Sequence, residues 1–331
     1  MRVAVGQRDR TTRRRWMPVC LCAAAVAAGC GKASYLRSAP VEPARAAAAP
    51  QGITRHVVLV SIDGLRPDAI EAFEAPTLLR LLREGSYTLA ASTIHPSKTL
   101  PSHTSMLTGE PPERHQVLWN TTLSAKRDVI DLPNVFSESR AAGYSTAAFF
   151  SKSKFEPLQR AGTLDYSQAP GGWFGRWSSD RTVTDVEAYL ETERPNLLFV
   201  HLTDPDAAGH GSGWMGEKYG RAVLRADAAL GRLLRSAEAA YGAGNYSVIV
   251  TADHGGHGTD HGSADPRDVT IPWIAWGRGV KPGALQAHSV VTMDTASTVL
   301  WLLGLPEPAG WAGTPRVEAF DASPAAAAGA R

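Results

Sequence analysis

Apolar residues cluster in five short, nearly continuous runs, at positions 57–62, 145–150, 197–202, 246–251 and 271–276. A run without alternation of apolar and polar positions is typical of a strand that is buried on both faces. Four other segments repeat their apolar residues with helical spacing: 76–84, 131–142, 217–240 and 294–303, the second with Asp131 as its expected N-cap. Because strands and helices alternate, we predict an α/β fold with a mostly parallel central sheet flanked by helices on both faces.

The first 29 residues have the composition of an export signal. An Arg-rich region precedes a short apolar stretch over 16–28, and small residues come directly before Cys30. The ending Ala27-Ala28-Gly29-Cys30 resembles a bacterial lipobox with Cys30 as the lipidated residue, although Ala27 stands where leucine is more usual. We therefore predict an exported lipoprotein, periplasmic or on the cell surface, anchored to the membrane through Cys30. A cleaved signal peptide without a lipid is the alternative.

The rest of the chain divides into three predicted parts. An Ala/Pro-rich tether covers 30–54, one α/β domain covers 55–313, and a flexible Ala/Pro-rich tail covers 314–331. Hydrophobic residues make up 44% of the 331 positions, so the domain can bury a sizeable core.

Removal of the export signal changes the charge of the chain. Residues 1–29 hold six Arg and one Asp, which leaves 28 basic and 31 acidic side chains, or a net charge of −3. The basic balance of the precursor is therefore no argument for binding a nucleic-acid polymer. Cys30 is the one cysteine left, so neither an intrachain disulfide nor a thiolate metal site is expected.

Three of the predicted strands lead into acidic residues. Asp63 follows the first run, Asp204 and Asp206 follow the third, and Asp253 comes two residues after the fourth. The carboxyl ends of parallel strands form one edge of the sheet, where ligands bind in open α/β folds. A single Asp after a strand is commonly a helix N-cap. Three carboxylates at one edge, however, repel one another unless cations lie between them.

Histidines accompany these carboxylates at short spacing. Asp206 and His210 are one helical turn apart, and Asp253 is directly followed by His254. A glycine pair that allows a tight turn and two more histidines come next: Gly255, Gly256, His257 and His261. A lone histidine is more often a core or surface residue, but a cluster beside an Asp favours a metal site. Imidazole and carboxylate ligands without thiolates suit Zn²⁺, and also Mn²⁺ or Fe.

Four motifs carry this pattern: Ser61-Ile-Asp63-Gly-Leu-Arg-Pro-Asp, Lys98-Thr99-Leu-Pro-Ser-His103, Pro205-Asp206-Ala-Ala-Gly-His210 and Ala252-Asp253-His254-Gly255. In this order they resemble the type I phosphodiesterase/nucleotide pyrophosphatase branch of the alkaline phosphatase superfamily. The resemblance extends from about 56 to 305. Each motif alone is modest, but the four together are specific.

The resemblance implies an alkaline phosphatase-like fold and assigns roles to residues of this chain. Thr99 matches the nucleophile, and Asn120 falls where the family has an amide that binds a phosphoryl oxygen. The ligands implied for the first of two divalent ions, which holds the nucleophile, are Asp63, Asp253 and His254 together with Thr99. Those implied for the second ion, which activates water, are Asp206, His210 and a later histidine.

The last ligand is open between two histidines. His261 lies at the expected distance before the strand at 271–276 and is our choice, with His257 as the alternative. Lys98, and Trp173 in the aromatic loop over 171–177, are further candidates for contact with the substrate. Lys98 could equally be a solvated charge, and Trp173 could equally pack under its loop, as could Trp214.

A Thr hydroxyl is a weak nucleophile at neutral pH, and coordination to a divalent ion is one way to ionise it. Two ions roughly 4 Å apart can stabilise the entering and leaving oxygens of an in-line displacement. We therefore predict a two-metal hydrolase that cleaves phosphodiester or pyrophosphate bonds of small, nucleotide-type substrates through a covalent intermediate on Thr99, without an obligate protein partner. The alternatives are a phosphomonoesterase, phosphonate or sulfate ester hydrolase on the same metals, and an inactive lipid-anchored binding protein.

Overall fold

The computed structural model describes residues 33–38, 52–121, 130–159, 162–172, 175–286 and 288–321. Their strands are β1 (Ser34–Arg37), β2 (Val57–Ile62), β3 (Ser86–Ser92), β4 (Thr146–Phe149), β5 (Tyr166–Ala169), β6 (Leu197–Leu202), β7 (Ser247–Thr251), β8 (Thr270–Gly277) and β9 (Gly283–Ala284). All nine join in one sheet, in the order β1-β5-β4-β6-β2-β7-β8-β3-β9.

The helices are α1 (Asp68–Ala72), α2 (Pro76–Glu84), α3 (Thr99–Thr108), α4 (Pro112–His115), α5 (Val135–Ala141), α6 (Ser179–Leu190), α7 (Asp204–Ser212), α8 (Glu217–Tyr241), α9 (Pro266–Val269) and α10 (Asp294–Leu303). Two 3-10 turns follow β4 and α10, at Ser153–Leu158 and Val317–Ala319. The long helix α8 packs with α2, α6 and α7, while α10 packs with α3 and α5. None of the described helices combines the length and the apolar character that crossing a membrane requires.

The centre of the sheet is parallel. Strands β4, β6, β2 and β7 run in the same direction, and every residue of the four is buried. Antiparallel pairs lie outside this block, where β8 joins β7 and β1 joins β5. All five apolar runs form strands, so the prediction of a mostly parallel α/β sheet flanked by helices is confirmed. The last run, β8, is antiparallel to its neighbours β7 and β3.

Helix α5 begins three residues later than expected. Asn134 is its N-cap, and the Asn134 side chain accepts hydrogen bonds from the backbone N–H groups of Phe136 and Ser137. The Ser137 hydroxyl accepts one from the N–H of Asn134 in return, which completes a capping box. Such a cap contributes about 1 kcal/mol. The prediction of Asp131 as the N-cap was wrong, because residues 131–134 are not helical and Asn134 caps the helix instead.

Both ends of the predicted catalytic domain have ordered neighbours. Within the expected tether, β1 pairs antiparallel with β5 and forms one edge of the sheet. At the other end, Phe320 is 7% exposed and bridges to Val280, so residues 314–321 pack onto the domain. The four residues of β1 were too few to detect from their pattern. Cys30, most of the tether and residues 322–331 lie outside the described residues.

Candidate active site

Three buried carboxylates meet at the carboxyl ends of neighbouring strands. Asp63 follows β2, Asp206 lies in α7 directly after β6, and Asp253 lies two residues after β7. The loops are joined, because the Asp206 N–H donates to the Asp63 carbonyl at 3.0 Å and the Gly64 N–H donates to Asp253 Oδ1 at 3.1 Å. Gly64 has φ +70°, and a Cβ there would lie 2.9 Å from Asp206 Cα. A glycine is therefore required at this turn.

Three imidazoles surround these carboxylates, those of His254, His210 and His261. Each has its Nδ1 within hydrogen-bonding distance of a backbone carbonyl. The three acceptors are Gly255, Thr259 and Ser97, at 2.8, 3.0 and 2.8 Å respectively. With the proton on Nδ1, each Nε2 has a lone pair directed toward the carboxylates, which is the usual arrangement of metal-ligating histidines. We call the three carboxylates and these three imidazoles the acidic wall.

One part of the acidic wall lies next to Thr99. The Thr99 Oγ1 is 3.4 Å from His254 Nε2. The same nitrogen lies 3.4 Å from Asp63 Oδ1 and 3.3 Å from Asp253 Oδ2. Both of these oxygens are buried and have no hydrogen-bond partner among the described residues. Asp63, His254 and Asp206 form one candidate metal-binding group, in which one donor atom of each residue lies within 4.8 Å of the others.

The second part of the acidic wall lies around Asp206. Its Oδ1 is also buried without a hydrogen-bond partner in the described part of the chain, 3.3 Å from His210 Nε2 and 3.6 Å from His261 Nε2. The two Nε2 atoms are 3.1 Å apart, and two lone pairs at that distance repel each other. These three residues form a second candidate metal-binding group. Unpaired buried oxygens and converging lone pairs suit a divalent cation in each group.

His257 lies outside this arrangement. Its Nδ1 is 2.7 Å from Asp268 Oδ1, and its side chain is 35% exposed. The glycine pair before it serves close packing, since a Cβ on Gly256 would lie 2.2 Å from the Trp214 indole. Trp214 is 7% exposed and donates from Nε1 to the Gly64 carbonyl, so it packs against the turn at Gly64. Trp173 lies outside the described residues.

Thr99 is the first residue of α3, directly after Lys98. The N-terminus of a helix carries a partial positive charge, which favours an oxyanion at this position. The Lys98 side chain lies beside Gly262, where a Cβ would come within 2.9 Å of Lys98 Cε. Lys98 is thus next to the loop that carries His261, and its contact with a substrate stays a prediction.

A second set of polar groups lies next to the acidic wall. The Asn120 Oδ1 accepts the N–H of Leu100 at 3.0 Å and Lys154 Nζ at 3.2 Å. Lys152 Nζ lies 2.5 Å from Asp63 Oδ2 and 2.6 Å from Asp206 Oδ2, and so bridges the two metal-binding groups. We call Asn120, Lys152 and Lys154 the cationic wall. Neither lysine was identified from the sequence, although both follow β4 at the same edge of the sheet as Asp63.

His201 was also missed. It lies within the apolar run of β6, and its Nε2 is 2.9 Å from Asp63 Oδ2. A histidine inside a buried strand was the available signal, because a buried imidazole needs a polar partner.

Burial and neighbouring charges shift the pKa values of the acidic wall in opposite directions. Burial alone would raise the pKa of Asp63, but the Lys152 ammonium and the His201 hydrogen bond outweigh it and hold that pKa well below its usual value. Burial, reinforced by the negative charge of Asp63, raises the pKa of Asp253 well above its usual value. Burial and the neighbouring His254 lower the pKa of His261 to about 3, so His261 is neutral and can act as a ligand.

Comparison of the sequence with known proteins identifies its family. The family model of type I phosphodiesterase/nucleotide pyrophosphatase matches residues 57–269. Ectonucleotide pyrophosphatase/phosphodiesterase family member 1 of Homo sapiens is 24% identical over 68% of this chain and 26% of its own length. GPI ethanolamine phosphate transferase 1 of Emericella nidulans is 23% identical over 82% of this chain and 35% of its own length.

The chain spans about a third or less of the length of these two relatives. Among solved structures, alkaline phosphatase PafA has the same fold, with a TM-score of 0.67, 13% identity, and coverage of 81% of this chain and 99% of that one. The predicted alkaline phosphatase-like fold is therefore confirmed. Since the family model covers more than half of the sequence, the chain belongs to the type I phosphodiesterase/nucleotide pyrophosphatase family.

Proposed function

We propose that the protein hydrolyses phosphodiester or pyrophosphate bonds of small, nucleotide-type substrates, with Thr99 as the nucleophile. The observation that carries this proposal is the position of the Thr99 hydroxyl. It lies at a helix N-terminus and 3.4 Å from the free Nε2 of His254, beside carboxylate oxygens that have no other partner in the described chain. The family of the chain and the names of its relatives support the class of bond.

Two divalent ions fit the acidic wall, most readily Zn²⁺, with Mn²⁺ or Fe as alternatives. The proposed ligands of the first are Asp63, Asp253, His254 and Thr99, and those of the second are Asp206, His210 and His261. When bound, such ions lower the pKa of a coordinated hydroxyl and stabilise charge on the entering and leaving oxygens. His261 is preferred to His257 because His257 is paired with Asp268 instead.

The residues of the chain then carry a two-step displacement. Thr99 Oγ attacks the phosphorus and its proton passes to solvent, while the leaving oxygen departs on the opposite side with the electron pair of the broken P–O bond and takes up a proton from solvent. This step leaves a phosphoryl or nucleotidyl ester on Thr99. Asn120 donates from Nδ2 to a non-bridging oxygen of the phosphoryl group as its negative charge grows. Water then attacks the same phosphorus from the side of the departed group and loses a proton, the bond between Thr99 Oγ and the phosphorus breaks, and Thr99 Oγ takes up a proton.

A phosphomonoesterase is the second candidate, and one observation favours it. The ammonium of Lys154 lies 3.2 Å from Asn120 Oδ1, and Lys152 is the N-cap residue of the turn that carries Lys154. A terminal phosphoryl group carries more negative charge than a diester and gains more from two neighbouring cations. Phosphonate and sulfate ester hydrolysis on the same core, and an inactive lipid-anchored binding protein, are the remaining alternatives.

One experiment separates these functions. kcat/KM is measured for a nitrophenyl phosphomonoester, a nitrophenyl phosphodiester, a nucleotide diester and a nitrophenyl sulfate. We expect the diesters to exceed the monoester and the sulfate by at least about tenfold, a difference of about 1.4 kcal/mol in transition-state binding. A monoester preference would replace the proposed function by the second candidate, and no turnover of any ester would favour the binding protein.

The name of the Emericella relative indicates transfer of ethanolamine phosphate by that protein. Hydrolysis differs from it in the acceptor of the group on Thr99. Addition of ethanolamine to the same assay tests the acceptor, because a hydrolase gives the free phosphoryl product at an unchanged rate. Formation of a new ethanolamine ester as the main product would contradict hydrolysis.

We further propose export and attachment to a membrane through a lipid on Cys30, on the basis of the pattern in residues 1–30. Expression in a bacterium with radiolabelled palmitate should label the wild-type protein and leave Cys30→Ser unlabelled. An unlabelled wild-type protein that is nevertheless processed would indicate a cleaved signal peptide.

A further inference from the structure

Lys154 has an unusual environment for a lysine. It lies in the 3-10 turn at Ser153–Leu158, half-buried at the carboxyl end of β4. Among the described residues it forms no ion pair, and its hydrogen bond goes to a neutral oxygen, Asn120 Oδ1, at 3.2 Å. A half-buried ammonium without a carboxylate at contact distance is costly in free energy.

The contact determines the orientation of the Asn120 amide. Oδ1 receives two donors, the N–H of Leu100 at 3.0 Å and the ammonium of Lys154. Neither of these groups can accept a hydrogen bond, so the oxygen of the amide must face them. Nδ2 is therefore on the other side, and it forms no hydrogen bond with the described residues. Because Leu100 directly follows Thr99, the amide is held next to the nucleophile.

We infer that Lys154 is a positioning residue, which together with the N–H of Leu100 holds the Asn120 amide so that Nδ2 donates to the phosphoryl group attacked by Thr99. This inference rests on the proposed roles of Thr99 and Asn120. Without Lys154 the described residues give the amide one anchor, the N–H of Leu100, and rotation by half a turn would place Oδ1 against the negative oxygens of the substrate. A Lys154 that binds the substrate independently of Asn120 is the competing explanation.

A double-mutant cycle separates the two explanations. kcat/KM is measured with the best nitrophenyl substrate for wild type, Asn120→Ala, Lys154→Met and the double variant. We expect each single change to lower kcat/KM by about 100-fold, the lower end of the range found for one lost donor to a developing oxyanion. The double variant should fall no more than about threefold below Asn120→Ala, because Lys154 acts through Asn120. Losses that multiply would show independent binding and overturn the inference.

Two controls exclude a merely structural effect. Lys154→Arg keeps a cationic donor and should recover kcat/KM to within about fivefold of wild type, whereas recovery by Lys154→Gln alone would argue for packing. Lys281→Met changes an exposed lysine and should leave the rate unchanged. Wild-type activity in Lys154→Met would also overturn the inference.

Failure of the proposed function has a different outcome. Thr99→Ala is measured in the same series, and a Thr99→Ala protein with wild-type turnover would contradict the proposed mechanism itself. A Thr99→Ala protein without turnover, combined with multiplying losses in the cycle, would remove the positioning role of Lys154 alone.

Discussion

The acidic wall and the cationic wall meet at Thr99, yet the fold builds them in different ways. The acidic wall grows from the ends of three adjacent parallel strands, and each of its imidazoles is held by a backbone carbonyl. The lysines of the cationic wall lie at the start of one 3-10 turn, Lys152 as its N-cap, and their partners among the described residues are side chains. Lys152 bonds to two carboxylates and Lys154 to an amide. Backbone geometry thus fixes the first wall, and the first wall helps to fix the second.

This difference predicts that mutations in the two walls have different effects. A change in the acidic wall should affect metal binding and also release Lys152, because Lys152 is held by Asp63 and Asp206. A change at Lys154 should leave the acidic wall intact, since its contact is with Asn120.

The largest effect on the rate is expected from a change of Thr99, where the two walls meet. Thr99→Ala should lower kcat by at least about 10³-fold, because it removes the nucleophile while the Asp and His ligands and their supporting hydrogen bonds remain. Metal content and melting temperature, measured with the steady-state rate, should stay close to wild type. A rate within tenfold of wild type would exclude covalent catalysis by Thr99.

The matched control is Thr104→Ala in the same helix. The Thr104 hydroxyl is buried and donates to the Leu100 carbonyl at 2.8 Å, within the helix itself. Its loss should reduce stability by about 1 kcal/mol and leave kcat unchanged.

The acidic wall could be predicted from the sequence because its carboxylates directly follow apolar runs. The strand ends were visible, and Asp and His at those ends are chemically specific. Asn120 and the choice of Thr99 came from the family resemblance, since the neighbouring hydroxyls of Ser97 and Ser102 have equal local patterns. Their assigned roles remain predictions until the variants are measured.

The two lysines of the cationic wall could not be identified from the sequence. Lys152 and Lys154 lie in the stretch Phe150-Ser-Lys-Ser-Lys-Phe155, where lysine most often means a solvated charge. Their burial depends on tertiary contacts with Asp63, Asp206 and Asn120, which are 34 to 89 positions away in sequence and therefore invisible in a local pattern. The same holds for β1 and β5, whose four residues each pair only through the assembled sheet.

The next effect concerns stability. Lys152→Met leaves two buried carboxylates without their cation and should lower the free energy of unfolding by about 3 kcal/mol in buffer without metal ions. Added Zn²⁺ should reduce the difference in the free energy of unfolding between Lys152→Met and wild type, because an ion can neutralise the same carboxylates. Denaturant unfolding measures both values, with the exposed Lys281→Met expected within about 0.5 kcal/mol of wild type. Equal stability of wild type and Lys152→Met without metal would show that Lys152 does not hold the two carboxylates.

A smaller effect on metal affinity should distinguish His261 from His257, which lie in the same loop. His261→Ala should weaken the binding of the second metal ion by at least about tenfold, because its Nε2 faces Asp206 and His210. His257→Ala should change that affinity by less than about threefold, since its contact is with Asp268. Calorimetric titration with Zn²⁺ gives both values. The reverse order would make His257 the ligand.

The smallest effect is a dependence on pH that belongs to the cationic wall alone. Burial and the positive charge of Lys152 lower the pKa of Lys154 to about 8, although carboxylates of the acidic wall partly oppose this shift. Those carboxylates are Asp63, Asp206 and Asp253. Lys154 is therefore charged below this pH and loses its charge as the pH rises through it, so the charge-assisted hydrogen bond to Asn120 weakens. We expect kcat/KM to fall by about three- to tenfold between pH 7 and pH 9 from this cause.

Lys154→Arg isolates this contribution, because a guanidinium remains protonated across the whole range. The alkaline decline should become shallower in Lys154→Arg and stay unchanged in Lys281→Arg, with metal content measured at each pH so that loss of ions is not mistaken for the effect. If the decline is the same in wild type and Lys154→Arg, it belongs to another group, and the charge of Lys154 has no part in orienting Asn120. If it becomes shallower, the two walls respond to different conditions: the acidic wall to metal supply and the cationic wall to pH.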